Sequence, residues 1–290
     1  MARNLAAQTA FGPMVLAAVE QHEAPNRRLV NDDLAVAFLP TGLRALVGAT
    51  RLTPVRRLMV GATERSGPGL WANLVCRKRF IDEKLDEALP DIDAVVILGS
   101  GLDTRPYRLA RRSEIPVFEI DLPVNIERKK TIVQRVLTEA PTSVRLVPVD
   151  FEHDDLAAEL ARHGHRGDGR TFYIWEGVTQ YLTADAVRAT FESLRSAGAS
   201  SRLVFTYVRR DFIEGTNMYG ARSAYRRFRE KQQLWKFGLH PEELAAFVGE
   251  YGWEVAEQAG PEYFMRQYVE PAGRNLTASQ LEWTAYATKT

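Results

Sequence analysis

The sequence predicts an α/β fold built on a doubly wound, mostly parallel sheet of seven strands. The first observation is a short, continuous apolar run at residues 94–98, typical of a strand covered on both faces. The second is the alternation of strand-like and helix-like periods from there to residue 208, which indicates right-handed crossovers between parallel strands. The third is an alternating pattern at residues 281–288, which predicts a last, antiparallel strand.

The first third of the chain has helical patterns and no convincing strand, so residues 1–90 are predicted to form a helical cap. Such a cap would cover the ligand crevice, which opens at the carboxyl ends of the strands in folds of this kind. Pro25 ends the first helix, and the side chains of Asn31-Asp32-Asp33 are expected to cap the second, since Asn and Asp are good N-cap acceptors. The predicted helices are 9–23, one that reaches Leu39, 54–59 and 70–88, with a loop at 61–69.

The remaining residues, 91–290, are predicted to form the core. Strands are expected near 94–98, 116–120, 144–149, 171–176, 202–208 and 253–257, before the last strand at 281–288. Helices are expected to begin near Thr104, Pro123, Asp154, Thr183 and Pro241. Residues 209–237 are too long and too charged for a simple connection, so a helical lid insertion is predicted at about 209–240. Residues 261–280 are a second insertion.

Composition excludes several classes of function. The 290 residues are 45% hydrophobic and 26% charged, with a net charge of +1, so neither a nucleic acid nor a membrane is expected as a partner. Cys76 is the only cysteine, which rules out an intrachain disulfide and favours a cytoplasmic location. The five histidines lack the spacing of metal ligands, so no metal is expected. The oligomeric state stays open.

The turn Gly99-Ser-Gly101 after the first strand is predicted to bind a cofactor, because glycines let a ligand approach the backbone where a helix begins. A dinucleotide fingerprint would have a third glycine where Thr104 stands, and the carboxylate of Asp103 would repel a diphosphate. A nicotinamide dehydrogenase is therefore disfavoured. A nucleoside that carries a zwitterionic amino acid, such as S-adenosylmethionine, has no such conflict.

The second predicted strand ends in acids about 20 residues past the glycines, where a carboxylate can accept from ribose hydroxyls. Glu119 and Asp121 are both candidates for this contact, because strand alternation points them to the same side. Asp150 ends the third strand, where it can accept from an adenine amino group with help from the backbone of Phe151.

Four motifs carry a resemblance to a known family: LGSGLDTRPYRL, FEIDLP followed by Lys129-Lys130, VPVDFEHDDLAAEL and TFYIWEGVTQYLT. In order and spacing they resemble S-adenosylmethionine-dependent methyltransferases of the leucine carboxyl methyltransferase type. The bacterial members, which include polyketide carboxyl O-methyltransferases, are the most similar. The resemblance runs from about residue 26 to the C-terminus and implies a Rossmann-like class I methyltransferase fold. It also implies S-adenosyl-L-methionine as cofactor, with S-adenosyl-L-homocysteine as product.

The resemblance also implies roles for single residues. It favours Asp121 for the ribose, places Glu176 against the cofactor's amino group, and gives Arg77 the cofactor's carboxylate, for which a guanidinium fork is well shaped. Tyr181 is a candidate for positioning the methyl acceptor. The predicted cofactor residues are Arg77, Gly99, Ser100, Gly101, Asp103, Asp121, Leu122, Asp150, Phe151, Glu176 and Gly177.

The leading hypothesis for function is methyl esterification of a small-molecule, natural-product acid. A carboxylate is ionised at neutral pH and needs no catalytic base, whereas a phenol would be helped by one. Methylation of a phenol or hydroxyl, and cofactor binding without turnover, stay as alternatives. Arg222 and Arg226 lie four residues apart in the predicted lid and are candidates for binding an acidic substrate, together with Tyr207 of the fifth strand.

Overall fold

The computed structural model describes residues 11–290. The part of the first predicted helix at residues 9 and 10 lies outside them. Thirteen α-helices of the described residues are labelled in chain order: α1 Phe11–Glu20, α2 Ala35–Phe38, α3 Thr41–Ala49, α4 Thr53–Ser66, α5 Leu70–Ala88, α6 Arg105–Leu109, α7 Pro123–Val136, α8 Leu156–Arg162, α9 Ala184–Ser193, α10 Arg210–Ile213, α11 Arg222–Ala224, α12 Leu244–Gly249 and α13 Pro261–Phe264. Two π-helical stretches follow α11 and α13, at Tyr225–Lys231 and Met265–Val269. Short 3₁₀ helices complete the set at Pro25–Arg27, Leu89–Asp91, Thr179–Tyr181, Leu194–Ser196 and Pro241–Glu243.

One seven-stranded sheet organises the chain and confirms the predicted fold class. Its strands are β1 Ala94–Leu98, β2 Val117–Asp121, β3 Val144–Pro148, β4 Thr171–Trp175, β5 Arg202–Val208, β6 Trp253–Ala259 and β7 Glu282–Lys289. The spatial order is β3-β2-β1-β4-β5-β7-β6. The pairs among β1 to β5 are all parallel, and β7 runs antiparallel to both of its neighbours.

Alternate side chains of β1 face opposite sides of the sheet, and both sides are buried, which explains why its sequence is apolar throughout. Val95 and Ile97 face one buried cluster, whereas Ala94, Val96 and Leu98 face another on the opposite side of the sheet. Burying a valine- or leucine-sized side chain contributes about 1.5–3 kcal/mol, so a strand covered on both faces has no position for a polar residue. The first of these clusters also contains side chains of α1, α2 and α5, so the N-terminal helices share a core with the sheet. The expected boundary near residue 90 falls at the short helix that precedes β1.

Two details of the N-terminal helices differ from the predictions. The loop expected at residues 61–69 is wrong over its first six residues, because α4 continues through Gly61 to Ser66 and a glycine inside a helix is tolerated at a modest cost. The expected cap of α2 is also wrong: the helix begins at Ala35 without a side-chain cap. Asp32 is buried instead, where its Oδ1 accepts a hydrogen bond from Thr104 Oγ1 at 2.8 Å.

The lid segment, residues 209–240, packs around its own apolar cluster. Phe212, Leu234 and Trp235 are buried there against Val208 at the end of β5. The segment returns to the sheet where Leu239 forms a bridge with Arg209 and donates its N–H to the carbonyl of Val208 at 3.0 Å. No helix within residues 11–290 has the length and hydropathy required to cross a bilayer.

Candidate active site

A cavity of about 590 Å³ opens at the carboxyl ends of β1, β2, β3 and β4. The strand order reverses between β1 and β4, and ligands of doubly wound sheets bind at such a switch point. The loops that follow these four strands form one side of the cavity. Helix α5 and the lid segment form the other sides, so cap, sheet and lid segment all contribute side chains to one space.

The glycine turn after β1 forms the floor of the cavity. Gly99 and Gly101 both have positive φ values, of 72° and 46°, which L-residues with side chains rarely adopt. The N–H groups of Gly99 and Ser100 both donate to the carbonyl of Ile120, each at 2.8 Å, and so fix the turn against β2. A Cβ at Gly99 would overlap the side chain of Val178. Glycine is therefore required at position 99, both by the backbone conformation and by the lack of space for a side chain.

Asp121 ends β2 in the lining, as predicted for a ribose-binding acid. Its Oδ2 accepts from the N–H of Gly101 at 2.6 Å, and its Oδ1 accepts from the N–H of Leu122 and from Asn125 Nδ2, both at 2.7 Å. Burial raises the pKa of this carboxyl, and the three donors act against that rise. The carboxylate is thus held rigidly beside the glycine turn.

Glu119, the competing candidate, lies outside the lining. It is fully buried, where it pairs with Lys129 Nζ at 2.5 Å and accepts from the hydroxyl of Tyr107 at 2.6 Å. Lys129 also donates to the carbonyl of Asp103 at 2.7 Å. This pair therefore supports the loop from beneath, and Asp121 is the acid that faces the cavity.

A cluster of buried ion pairs forms the wall next to the glycine turn. Arg77 of α5 donates from Nε to Glu176 at 2.9 Å and from Nη1 to Glu282, the first residue of β7. Arg105 of α6 donates from Nη1 to both Asp103 and Glu176, at 2.6 and 2.7 Å. The cap, the first crossover helix and the last strand are thereby joined at one point.

The charges of this cluster hold its acids ionised. Burial alone would raise the pKa of Glu176, but Lys78, Arg105 and Arg77 together lower it to about 2. The pKa of Asp103 is also held far below its usual value, against the effect of burial, chiefly by Arg105. Neither carboxyl can act as a proton acceptor tuned near neutral pH.

Arg105 and Glu282 were not singled out from the sequence. Arg105 stands inside the quoted LGSGLDTRPYRL motif, which was the available signal. Glu282 gave no local signal, because its partner Arg77 lies 205 residues away in the chain.

Several polar atoms of the lining have no hydrogen-bond partner within residues 11–290. These are Asn73 Oδ1, Ser100 Oγ, Asn125 Oδ1, Gln180 Oε1 and Trp235 Nε1. Buried polar groups are normally satisfied, so a group of unpaired atoms around one cavity indicates a polar ligand. Together with the glycine floor, where a side chain would block the approach, they fit a nucleoside linked to an amino acid.

Most of the predicted site residues lie in this lining. The structure brings together Arg77, Gly99, Ser100, Gly101, Asp103, Asp121, Leu122, Asp150, Phe151, Glu176, Gly177 and Tyr181. Asp150 and Phe151 follow β3, and the ring of Phe151 lies 6.4 Å from that of Trp175. Tyr181 lies on the lid side, with its ring edge-to-face with Trp235 at 6.5 Å.

Three predicted substrate residues lie elsewhere. Tyr207 is fully buried in β5, where its hydroxyl accepts from Gln258 Nε2 at 2.5 Å, and it does not line the cavity. Arg222 and Arg226 are exposed and also lie outside the lining. The prediction for the two arginines assumed one continuous α-helix, whereas α11 passes into a π-helix at Tyr225. Arg222 and Arg226 share the exposed face of this stretch, whereas Ala224 and Phe228, also four residues apart, line the cavity.

Comparison with known proteins identifies the family. The model of the leucine carboxyl methyltransferase family matches residues 10–195. The chain belongs to this family. A Frankia alni protein named "Putative S-adenosyl-L-methionine-dependent methyltransferase" is 31% identical over 208 residues, which cover 71% of this chain and 70% of that protein. A Mycobacterium marinum protein of the same name is 39% identical over 137 residues, or 47% of this chain and 45% of that protein.

Two solved structures show the same fold at low sequence identity. A "putative methyltransferase from Thermobifida fusca" has a TM-score of 0.58 and 18% identity, and the match covers 81% of this chain and 88% of that one. A "duf574 family protein" from Streptomyces avermitilis has a TM-score of 0.55 and 16% identity, with 82% and 91% covered. The protein described here by residues 11–290 is an S-adenosyl-L-methionine-dependent methyltransferase, and its sheet is that of a class I methyltransferase.

Proposed function

We propose that this methyltransferase esterifies a carboxylate of a small-molecule acid, of the kind found among natural products. The observation that carries the proposal is the ionisation of the acids in the ion-pair cluster that forms one wall of the cavity. Because Glu176 has a pKa of about 2 and that of Asp103 is also strongly lowered, these carboxyls have no proton-accepting role near pH 7. An acceptor that is already an anion needs none.

The residues of the chain have distinct tasks in this reaction. The cofactor supplies a methyl group on a sulfonium, whose leaving group needs no further activation. Asp121 is suited to hold ribose hydroxyls, because its carboxylate is fixed by three donors next to the glycine turn. Arg77 and Glu176 offer a cation and an anion to the two ends of an amino acid. Alignment of the acceptor oxygen and exclusion of water are the remaining requirements.

A second candidate function is methylation of a phenol or hydroxyl. The observation that favours it is His153, whose exposed side chain contributes to the cavity lining after β3. An imidazole there could accept the proton that a hydroxyl acceptor must lose. If the protein binds the cofactor without turnover, neither the ionised acids of the wall nor His153 has a catalytic role.

Alkali stability of the product separates these functions. The full-length protein is incubated with S-adenosyl-L-methionine labelled in its methyl group and with matched panels of acids and phenols. We expect a labelled product from acids that releases methanol in mild alkali, since methyl esters hydrolyse and aryl ethers do not. Labelled products from phenols alone, stable to alkali, would replace the proposal by the second candidate. Tight cofactor binding without any product across both panels would favour the non-catalytic alternative.

A further inference from the structure

Helix α4 of the cap has an outer side that no other part of residues 11–290 covers. None of its fourteen residues is buried, and Met59 and Val60 on its inner side pack against the core. Leu58 on the outer side is 65% exposed, and Leu52, which directly precedes the helix, is exposed to the same extent. Leu46 of α3 is exposed as well. Large apolar side chains that are exposed together and rimmed by polar residues mark an interaction surface.

The exposed side of α4 is basic as well as apolar. Leu58 and Arg65 are seven residues apart, a spacing that places both on one stripe of the helix. Arg57 directly precedes Leu58, and Arg51 directly precedes Leu52. All three arginines are exposed, and none has a hydrogen-bond or ion-pair partner within the described part of the chain. Guanidinium groups without a counter-ion are available to bind an anion at this surface.

The lid segment extends this basic surface. Ser223 of α11 donates from its hydroxyl to the carbonyl of Ser66 at 2.5 Å, so α11 lies against the last residue of α4. Arg222 and Arg226 are exposed on this stretch and, among residues 11–290, have no hydrogen-bond or ion-pair partner either. The two lid arginines, which do not line the cavity, therefore add to the charge beside α4.

The local charge differs strongly from that of the whole chain. Residues 51–66 and 222–227 together contain seven arginines and one acid, although the net charge of all 290 residues is only +1. The acid, Glu64, accepts from the N–H of Gly69 at 2.8 Å and is thereby held at the turn that follows α4. A surface of this charge attracts anionic partners and repels a second copy of itself.

An anionic lipid bilayer fits both features of the surface. A nucleic acid supplies phosphates but no apolar environment for two exposed leucines. A folded protein would need a groove shaped to the outer side of the helix, whereas the interface of a fluid bilayer adapts to it. Helices with arginines beside exposed leucines lie in the plane of a membrane, with the leucines among the acyl chains and the guanidinium groups at the headgroups.

We propose that α4 and the turn before it bind the surface of a membrane that contains anionic phospholipids. Leu52 and Leu58 enter the acyl-chain region, and Arg57 and Arg65 contact the phosphate groups. Gly67, which follows α4, lines the cavity, so the bound membrane adjoins the methyltransferase site. The proposal is independent of the identity of the acceptor, and it replaces the expectation, drawn from the net charge, that no membrane is a partner.

Vesicle sedimentation tests membrane binding directly. The full-length protein is mixed with large unilamellar vesicles of phosphatidylcholine alone, or of phosphatidylcholine with about one third phosphatidylserine. We expect partitioning into the anionic vesicles to be at least tenfold stronger. It should fall at least tenfold when the salt concentration rises from about 0.05 M to about 0.5 M, because salt screens the attraction. No sedimentation with anionic vesicles, or equal sedimentation with both compositions, would overturn the proposal.

Leucine variants test the apolar contact. Leu52→Ala with Leu58→Ala removes most of the apolar area that enters the bilayer and should weaken binding to anionic vesicles at least tenfold. Val124→Ala shortens an apolar side chain that is exposed elsewhere, on α7, and should leave binding unchanged. None of these residues lines the cavity, so an unchanged Kd for S-adenosyl-L-methionine shows that each variant is folded. Wild-type binding by the folded leucine variant would overturn the proposal.

Arginine variants test the location of the charge. Arg57→Gln with Arg65→Gln should weaken binding to anionic vesicles at least tenfold, since each arginine at an anionic surface contributes on the order of fivefold. Arg162→Gln with Arg166→Gln removes the same charge from α8 and the loop after it, where both arginines are also exposed, and should leave binding nearly unchanged. An equal loss in both pairs would mean that net charge alone drives binding, which would contradict a dedicated surface.

Two other occupants of the surface give different results. If a second copy covers α4, light scattering of the protein alone will show a dimer that Leu52→Ala with Leu58→Ala dissociates. If a nucleic acid binds instead, a single-stranded oligonucleotide will bind the wild type and the leucine variant equally. Either result in the absence of vesicle binding overturns the proposal of a membrane.

Discussion

Arg77 and Glu282 form an ion pair that joins helix α5 of the cap to the first residue of β7. The two side chains are almost completely buried, and Arg77 uses its Nε for Glu176 at the same time. A guanidinium shared by two carboxylates is fixed in both position and orientation. The cap is thereby tied to the sheet at the wall of the cavity, so changes at the start of β7 are expected to affect cofactor binding.

Replacing Glu282 with glutamine should weaken binding of the cofactor more than that of its product. Six acidic and four basic side chains within residues 11–290 line the cavity, a balance that favours a ligand of positive charge. S-adenosyl-L-methionine has a net charge of +1 and S-adenosyl-L-homocysteine is neutral. Loss of one buried acid should therefore raise the Kd of the cofactor several-fold, on the order of 1 kcal/mol, with a smaller effect on the product.

Titration calorimetry with both ligands measures this difference. Glu254→Gln on the exposed side of β6 is the matched control, since it removes the same charge outside the lining. Equal weakening of both ligands in Glu282→Gln would mean that the residue acts only by positioning Arg77. No change in either would contradict the role given to the ion pair.

Stability should fall in acid because of Glu176. Its pKa is about 2 in the folded protein, below the ordinary value of 4.5 for a glutamate carboxyl, so folding favours the ionised form. The stabilisation, on the order of 3 kcal/mol, is present above pH 4.5 and is lost as the pH falls from there towards 2. Urea unfolding between pH 7 and pH 3 should show this decrease. In Glu176→Gln the decrease should be smaller, and an identical pH dependence in both proteins would contradict the assignment.

The parts of the fold that sequence alone could predict are those with local signals. The strand at β1 and the turn at Gly99 follow from an apolar run and from glycine chemistry, which depend on neighbours in the chain. Contacts between distant segments have no such signal. The pairing of Arg77 with Glu282 of β7 depends on how the helices pack on the sheet. The same is true of the buried pair of Glu119 and Lys129. Strand alternation alone points Glu119 and Asp121 to the same side, so it could not decide which of them faces the cavity.

The lid segment illustrates a second limit. Its helical character was predictable, but the change to a π-helix at Tyr225 was not, and neither was the face that packs towards the cavity. Spacing of four residues correctly predicted that Arg222 and Arg226 share a face, but that face is exposed, and the lining has Ala224 and Phe228. The face that a helix of the lid segment turns towards the cavity depends on packing between distant segments, which the local sequence does not encode.

Alanine at Gly99 should abolish cofactor binding and destabilise the protein. The φ of 72° is unfavourable for alanine, and the new methyl group would overlap Val178. We expect a loss of stability of roughly 1–3 kcal/mol. The double variant Gly99→Ala with Val178→Ala should recover part of this stability, since it relieves the overlap with Val178 but not the unfavourable φ.

Gly61→Ala is the matched control for this substitution. Gly61 lies within α4, and a Cβ there meets nothing closer than Arg65 Nη2 at 3.8 Å. Alanine should therefore stabilise the helix by about 0.5–1 kcal/mol and leave cofactor affinity unchanged. Thermal unfolding and calorimetry measure both effects. Cofactor binding by Gly99→Ala with native affinity would exclude the glycine turn as the binding floor.

Variants of Asp121 and Glu119 should have different effects, the first on cofactor affinity and the second on the stability of the fold. Asp121→Asn keeps the shape of the side chain but loses the charge and one acceptor, so affinity for S-adenosyl-L-homocysteine should fall by about 1–3 kcal/mol in binding free energy. Glu119→Gln leaves Lys129 buried without its counter-ion, and removing one partner of a buried ion pair costs about 3–5 kcal/mol of stability. Calorimetry at a temperature where both variants are folded, together with urea unfolding, measures the two effects. If Glu119→Gln were the variant that lost affinity at unchanged stability, Glu119 would replace Asp121 as the acid that binds the ribose.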